Sequence, residues 1–179
     1  VLRGKRPHVI VDTGMMSTEL GEPSFDLLLQ SMEGDGLHAE DIGLIIITHA
    51  HIDHCQATEA LIQKTREKGD HGLDQAIVAL SREEEQYLRT VGERMSNSFG
   101  VKVPQFEPFF YLNEGDLILG RERKLNLRLL HTPGHSPGSM SIYWPESKVL
   151  IAGDVIFYGG MGRTDLPGGH SYREEVCGP

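Results

Sequence analysis

The chain has 179 residues, 39% of them hydrophobic, and a formal net charge of −9. That length builds one domain with a core of its own. An acidic surface gains nothing from counterion release on nucleic acid or from an anionic membrane, which excludes both as main partners, and apolar runs of only four or five residues are too short to cross a bilayer.

Residues 8–11 form a short apolar run closed by Asp12-Thr13-Gly14, which predicts a strand that stops at a turn. Residues 25–32 predict a helix with Ser24 as its N-cap, and residues 37–42 a short helical turn. Residues 45–48 read as a fully buried strand. Residues 57–68 read as an amphipathic helix with Ala57, Ala60 and Leu61 on its apolar face, ended by Gly69. Residues 76–80 predict a second buried strand. Ser81 then caps a helix with Glu83, Glu84 and Glu85 in its first turn, where the helix dipole favours acids; it runs to about Asn97. Residues 98–115 predict a loop over apolar surface, with Phe106, Phe109, Phe110 and Tyr111 covering the core rather than forming an interface. Four strands follow, at 117–119, 125–130, 139–144 and 149–152. Alternating strands and helices, then a run of strands, predict a layered α/β or α+β domain.

Cys55 and Cys177 are too few for a disulfide framework or a Cys-type zinc site. No basic-then-apolar leader follows Val1, and a reducing cytoplasm is the expected setting. Cys55 reads as a small buried hydrophobe rather than a nucleophile or a ligand.

The segment Thr48-His49-Ala50-His51-Ile52-Asp53-His54 places three imidazoles and one carboxylate directly after Leu44-Ile45-Ile46-Ile47. A buried strand has no packing use for four such side chains, whereas His and Asp are the ligand types that suit Zn, Fe and Mn. On an extended segment His49 and His51 point the same way, Asp53 continues the series and His54 turns aside. Such a loop could feed two metals, one from His49 and His51, the other from Asp53 and His54. Two later segments look ready to complete them: His135 at the tip of a tight turn after a strand, and Asp154 at the end of an apolar strand. Ligands at strand ends are oriented by a rigid sheet. His131 is expected to pack or to support a ligand. Asp12 is either turn chemistry or a buried acceptor that orients a ligand, the latter preferred. His8, His38 and His71 are expected to face solvent.

With Asp12-Thr13-Gly14, residues 48–54, the HTPGHSPGS segment at 131–139 and Gly153-Asp154 in this order, the chain resembles the metallo-β-lactamase fold superfamily. Residues 153–157 followed by Gly162-Arg163-Thr164-Asp165-Leu166-Pro167-Gly168-Gly169 are most similar to glyoxalase II-like (hydroxyacylglutathione hydrolase-like) enzymes and the related persulfide dioxygenases. The resemblance implies a single four-layer αβ/βα sandwich over residues 1–179, with metals at one edge of two packed sheets. It implies two divalent ions, with Zn favoured over Fe or Mn. His49, His51 and His135 would hold the first ion, Asp53 and His54 the second, and Asp154 would bridge them. His51 speaks against the flavodiiron branch, which carries Glu there, and Cys55-Gln56 stand where the family usually has small residues. The family's last ligand, a His on a later strand end, is not apparent before Pro179, nor is a first strand before Val9. The domain is therefore expected to be incomplete at its C-terminus and at its N-terminus, or to fill those places with another segment; His170 is the sole later histidine.

The function this implies is hydrolysis of a thioester or related ester, such as a glutathione thioester, by a metal-bound hydroxide. Asp53 and Asp154 are its catalytic carboxylates and a small molecule is its partner. One alternative is a dioxygenase using a single Fe on His49, His135 and Asp154, a 2-His-1-carboxylate set. Another is a truncated, non-catalytic metal-binding domain. Arg163 is expected to pair with Asp165 in preference to binding a substrate anion.

Overall fold

The computed structural model describes residues 7–66, 75–120 and 124–170. Every residue from 42 to 50 is buried, and this segment organises the rest. Strand β2 (Ile42–Ile46) lies inside a parallel sheet ordered β1-β2-β3-β4, beside β1 (His8–Val11) and β3 (Ile77–Leu80), with β4 (Phe110–Tyr111) at the edge. A parallel strand covered on both faces needs apolar side chains in both directions, which is why the run carries no alternation. Ile45 and Ile47 pack against Phe25 and Met32 of α1 (Ser24–Gly34), Leu61 of α3 (Thr58–Thr65) and Tyr87 of α4 (Arg82–Tyr87). Leu44 and Ile46 point the other way, into a cluster with Leu127, Leu129, Met140 and Ile142.

Those last four residues belong to an antiparallel sheet of β5 (Gly115–Leu119), β6 (Leu125–His131), β7 (Met140–Trp144) and β8 (Val149–Ile151), in sequence order. Strand β6 does alternate: Leu127 and Leu129 are buried, Asn126 and Arg128 exposed, as suits a sheet with one wet face. Ile118 and Leu150 stay 56% and 47% exposed. Among the described residues the layers are thus helices, parallel sheet and antiparallel sheet, and the implied fourth layer is not among them. A hairpin of β9 (Ile156–Phe157) and β10 (Gly160–Met161) follows.

The helix predicted from Ser81 is continuous in α4, a π-helical stretch Leu88–Gly92 and α5 (Glu93–Phe99). Ser81 caps it, its hydroxyl oxygen accepting from the Glu84 N–H at 3.2 Å. Ser24 does not cap α1. The cap position is Pro23, Ser24 is the first helical residue, and its buried hydroxyl has no hydrogen-bond partner. The 98–115 region contains β4, whose two residues are too few to show a pattern. Val103 and Phe106 cover the helical cluster and Phe110 the inter-sheet cluster, while Phe109 is 73% exposed. His8 is buried, not solvent-facing, because β1 places it opposite Ile42. His38 is exposed as expected. His131 is also exposed, at the last position of β6. Lys68, Gly69, His71 and Cys177 lie outside the described residues.

The layering makes opposite predictions for two isoleucines. Ile46→Ala opens a cavity between the sheets and costs about 2–5 kcal/mol, whereas Ile118→Thr stays within about 0.5 kcal/mol. Urea unfolding of both variants checks the contrast.

Candidate metal centre

Three segments meet where the two sheets touch. The first leaves β2 still extended through His51 (φ −69°, ψ 147°) and then closes into one helical turn, α2 (Ile52–Cys55). Asp53 therefore does not continue the extended series; it shares α2 with His54. The second is the turn between β6 and β7, which carries His135. The third follows β8 and carries Asp154. The Met140 N–H donates to the Thr48 carbonyl at 2.9 Å and so ties the antiparallel sheet to the histidine segment. Gly153 sits at φ +52°, and a Cβ there would lie 2.8 Å from Thr48 Oγ1. Only glycine lets the Asp154 segment approach so closely.

All six predicted ligands are brought together. Ligand atoms of His49, His51 and His135 lie within 4.8 Å of one another, as do those of Asp53, His54 and Asp154. His51 Nδ1 is 2.8 Å from His135 Nε2. Asp154 stands between the groups, with Oδ2 3.5 Å from His135 Nε2 and Oδ1 3.1 Å from His54 Nε2. Asp53 is the outermost member, its Oδ2 3.7 Å from His54 Nε2 and its side chain 60% exposed. His170 does not join them: it is exposed, and its backbone N–H donates to the Gly134 carbonyl at 2.8 Å.

Hydrogen bonds fix where the protons sit. The Thr48 hydroxyl donates to Asp12 Oδ2 at 2.7 Å and has only a lone pair left for His49 Nδ1 at 3.1 Å, so His49 donates from Nδ1. A carbonyl only accepts, so His135 donates from Nδ1 to the Arg163 oxygen at 2.7 Å. His54 Nδ1 is held by Asp12 Oδ2 at 2.8 Å. In the neutral rings the Nε2 atoms of His49 and His135 are thereby left as lone pairs facing the site. Asp12 proves to be the orienting acceptor, seated at φ +55° at the end of β1.

Electrostatics agree with this assignment. Burial, with the neighbouring imidazoles His54, His51 and His135, holds His49 far below the usual histidine range. Burial and His135 bring His51 down to about 4 against the pull of Asp53 and Asp154. Burial also opposes protonation of His54, but the Asp12 hydrogen bond and the charges of Asp12, Asp53 and Asp154 outweigh it and raise its pKa. Neutral imidazoles are the form that binds metal. His49 Nε2 is wholly buried with no hydrogen-bond partner. An orphaned buried acceptor costs about 1–3 kcal/mol, and a cation is the partner it lacks. On donor type, protonation and this orphaned atom, the residues fit a metal centre.

The remaining candidates take ordinary roles. Cys55 is fully buried, its thiol donates to the Ala50 carbonyl at 3.6 Å, and burial pushes its pKa far up, so it is no nucleophile. Arg163 makes two bonds to Asp165, at 2.8 and 2.7 Å, which hold the Asp165 carboxyl down at about 2.

Sequence reasoning missed Glu84. Read there as a helix-dipole acid, it is fully buried. Its Oε2 accepts from the Ala50 N–H at 2.7 Å, and its Oε1 accepts from the Ser136 hydroxyl and the Gly138 N–H, both at 2.6 Å. Its burial raises its pKa, while those three hydrogen bonds oppose the rise. Helical spacing was the available signal, since Glu84 shares a face with buried Tyr87 and Leu88.

Two predictions follow from the protonation pattern and from Glu84. The folded pKa of His51 lies below its unfolded value of 6.5, so the stability it contributes is present above 6.5 and is lost as pH falls toward about 4. Metal-free protein should lose stability over that window, and His51→Asn should flatten the loss; an unchanged slope by denaturant titration refutes it. Glu84→Gln turns an amide N–H₂ toward a buried donor, and should lower the unfolding free energy by about 1–3 kcal/mol, measured by urea unfolding.

Comparison with known proteins agrees with this geometry. The Metallo-beta-lactamase superfamily model matches residues 1–176. The chain is 40% identical over 129 residues to the probable metallo-hydrolase YqgX of Bacillus subtilis, covering 70% of this chain and 55% of that protein. It is 32% identical over 130 residues to the hydroxyacylglutathione hydrolase GloC of Haemophilus influenzae, covering 72% of this chain and 57% of that protein. The chain thus spans little more than half the length of these relatives. The crystal structure of TTHA1623 in a di-iron-bound form superposes with a TM-score of 0.66 at 30% identity, covering 90% of this chain and 69% of that one. With the family match and the converged site in agreement, the chain belongs to the metallo-β-lactamase superfamily.

Proposed function

We propose that this metallohydrolase-superfamily chain carries a binuclear centre for cleaving thioesters, hydroxyacylglutathione being the first substrate to test. The observation that carries the reading is the unpartnered His49 Nε2 at the meeting point of two ligand groups joined by Asp154. His49, His51 and His135 would hold one ion and Asp53 and His54 the other, with Asp154, which lies between the two groups, available to both. When bound, the ions supply the charge that polarises a carbonyl and lowers the pKa of water toward neutrality. Zn suits a mixed imidazole and carboxylate set, and Fe is the metal of the similar TTHA1623 structure. GloC is one of the relatives whose names contain a thioester substrate.

The chain's own groups arrange the rest. Asp12 and the Arg163 carbonyl hold the protons of His54 and His135 on Nδ1, which keeps both Nε2 atoms aimed inward. His54 lies between Asp12 and Asp154, and its burial is outweighed by these carboxylates, with Asp53, which raise its pKa, so the surroundings of its Nε2 favour positive charge. Among the described residues, Cys55 and Ser136 do not compete as nucleophiles: Cys55 is buried, and Ser136 is committed to Glu84. Arg163 is paired with Asp165. The free buried thiol of Cys55 suits a reducing cytoplasm; no described helix is long and apolar enough to cross a membrane.

Elemental analysis of protein purified without added metal, together with an assay on S-lactoylglutathione, tests this. Two ions per chain and hydrolysis without oxygen uptake are expected. Asp154→Asn should bind about one ion fewer and lose at least about a hundredfold in kcat/KM. One iron per chain with oxygen consumption, or no bound metal, overturns the reading.

A further inference from the structure

Helix α4 lies against the back of the His49, His51 and His135 group, and its inner face bears Glu84 and Tyr87, three residues apart. Residues at i and i+3 share a helix face. The Glu84 carboxylate accepts from the Ala50 N–H, between His49 and His51, and from Ser136 and Gly138, which flank His135 on its C-terminal side. One side chain thus ties together the two loops that carry the group. The fit is close: a Cβ on Gly138 would collide with Ser81 Oγ, and would lie 2.7 Å from Glu83 Cβ and 3.0 Å from the Glu84 nitrogen. Ser81 Oγ also donates to the Gly138 carbonyl at 2.8 Å.

Tyr87 acts on the His51 ring, its hydroxyl lying 3.1 Å from His51 Nε2. Its own ring is held, since a Cβ on Gly168 would come within 2.7 Å of Tyr87 Cε2. The bond is chemically specific. In the neutral tautomer that the Arg163 carbonyl selects for His135, Nε2 is a lone pair; His51 Nδ1 then donates to it across 2.8 Å, and Tyr87 donates to His51 Nε2. For Nδ1 to offer a lone pair to a cation, the ring must shift its proton to Nε2, and Tyr87 must become the acceptor. A hydroxyl performs both roles, whereas a backbone carbonyl performs only one.

We propose that Glu84 and Tyr87 are positioning residues of the first metal triad, Glu84 by fixing the backbone of its two loops and Tyr87 by holding the His51 ring in either tautomer. The proposal rests on the reading that His49, His51 and His135 hold an ion. A residue that orients a ligand from behind typically contributes tenfold to a hundredfold in affinity.

Co(II) titration of wild type, Tyr87→Phe and Glu84→Gln, with chelator competition for affinity and the visible Co(II) bands for geometry, tests it. Tyr87→Phe keeps the ring and should fold normally by circular dichroism. Its affinity for the first Co(II) should fall about ten- to hundredfold with shifted bands, while the second Co(II) binds as before. Glu84→Gln should show the same loss; if it fails to fold, Tyr87→Phe alone decides. Wild-type affinity and bands in Tyr87→Phe overturn the proposal. Equal weakening of both sites with unchanged bands overturns it too, by marking a general structural role. A wild-type protein that takes up no first Co(II) refutes the functional reading itself, a different result from binding that ignores Tyr87.

Discussion

The Asp12 carboxylate is the constraint on which the centre depends. Its two oxygens accept the Thr48 N–H and the Thr48 hydroxyl, both at 2.7 Å, and Oδ2 also accepts His54 Nδ1. Because Thr48 gives its proton to Asp12, it can only accept from His49, and that leaves His49 Nε2 bare. One carboxylate therefore sets the proton positions of two imidazoles, one directly and one through a hydroxyl. To do so it sits in the left-handed region, which costs an L-residue about 1–2 kcal/mol and which Asp tolerates better than most. Such local strain persists where surrounding bonds over-determine it, as the three bonds here do.

A rigid frame makes that precision useful. The parallel sheet is packed on both faces, and its β1 and β2 end side by side, with Asp12 N–H donating to Ile46 O at 2.8 Å. Open α/β sheets present their functional groups beyond the carboxyl ends of parallel strands. Here the antiparallel sheet closes the other side and delivers His135 and Asp154, with the Met140–Thr48 bond as the seam. Neither sheet holds a complete ligand group of the first site. Its assembly depends on the apolar contact of Leu44 and Ile46 with Leu127, Leu129, Met140 and Ile142.

Much of this was legible in the sequence, because metal ligands violate the pattern around them. His49 to His54 stand out after four apolar residues, and His135 and Asp154 stand out at the ends of short apolar runs. The strands were legible from their apolar runs too. The supporting groups were harder, since each imitates something ordinary. Glu84 looks like one of three acids at a helix start, and Tyr87 like a core aromatic. Asp12 was legible only as an even choice, since a turn wants Asp for its own reasons. β4 and the β9–β10 hairpin hold two residues per strand, below the length at which alternation can show. Asp53 was misplaced because the chain changes from extended to helical within the motif, after His51, and residue spacing cannot say where that change falls.

The central claim is that the protein fixes its imidazole lone pairs before any metal arrives. Long-range proton–nitrogen correlation NMR of the histidine side chains in metal-free protein at neutral pH tests this directly. The account predicts that the neutral rings of His49 and His135 carry their proton on Nδ1. Either ring carrying its proton on Nε2, or exchanging freely between the two nitrogens, would contradict it.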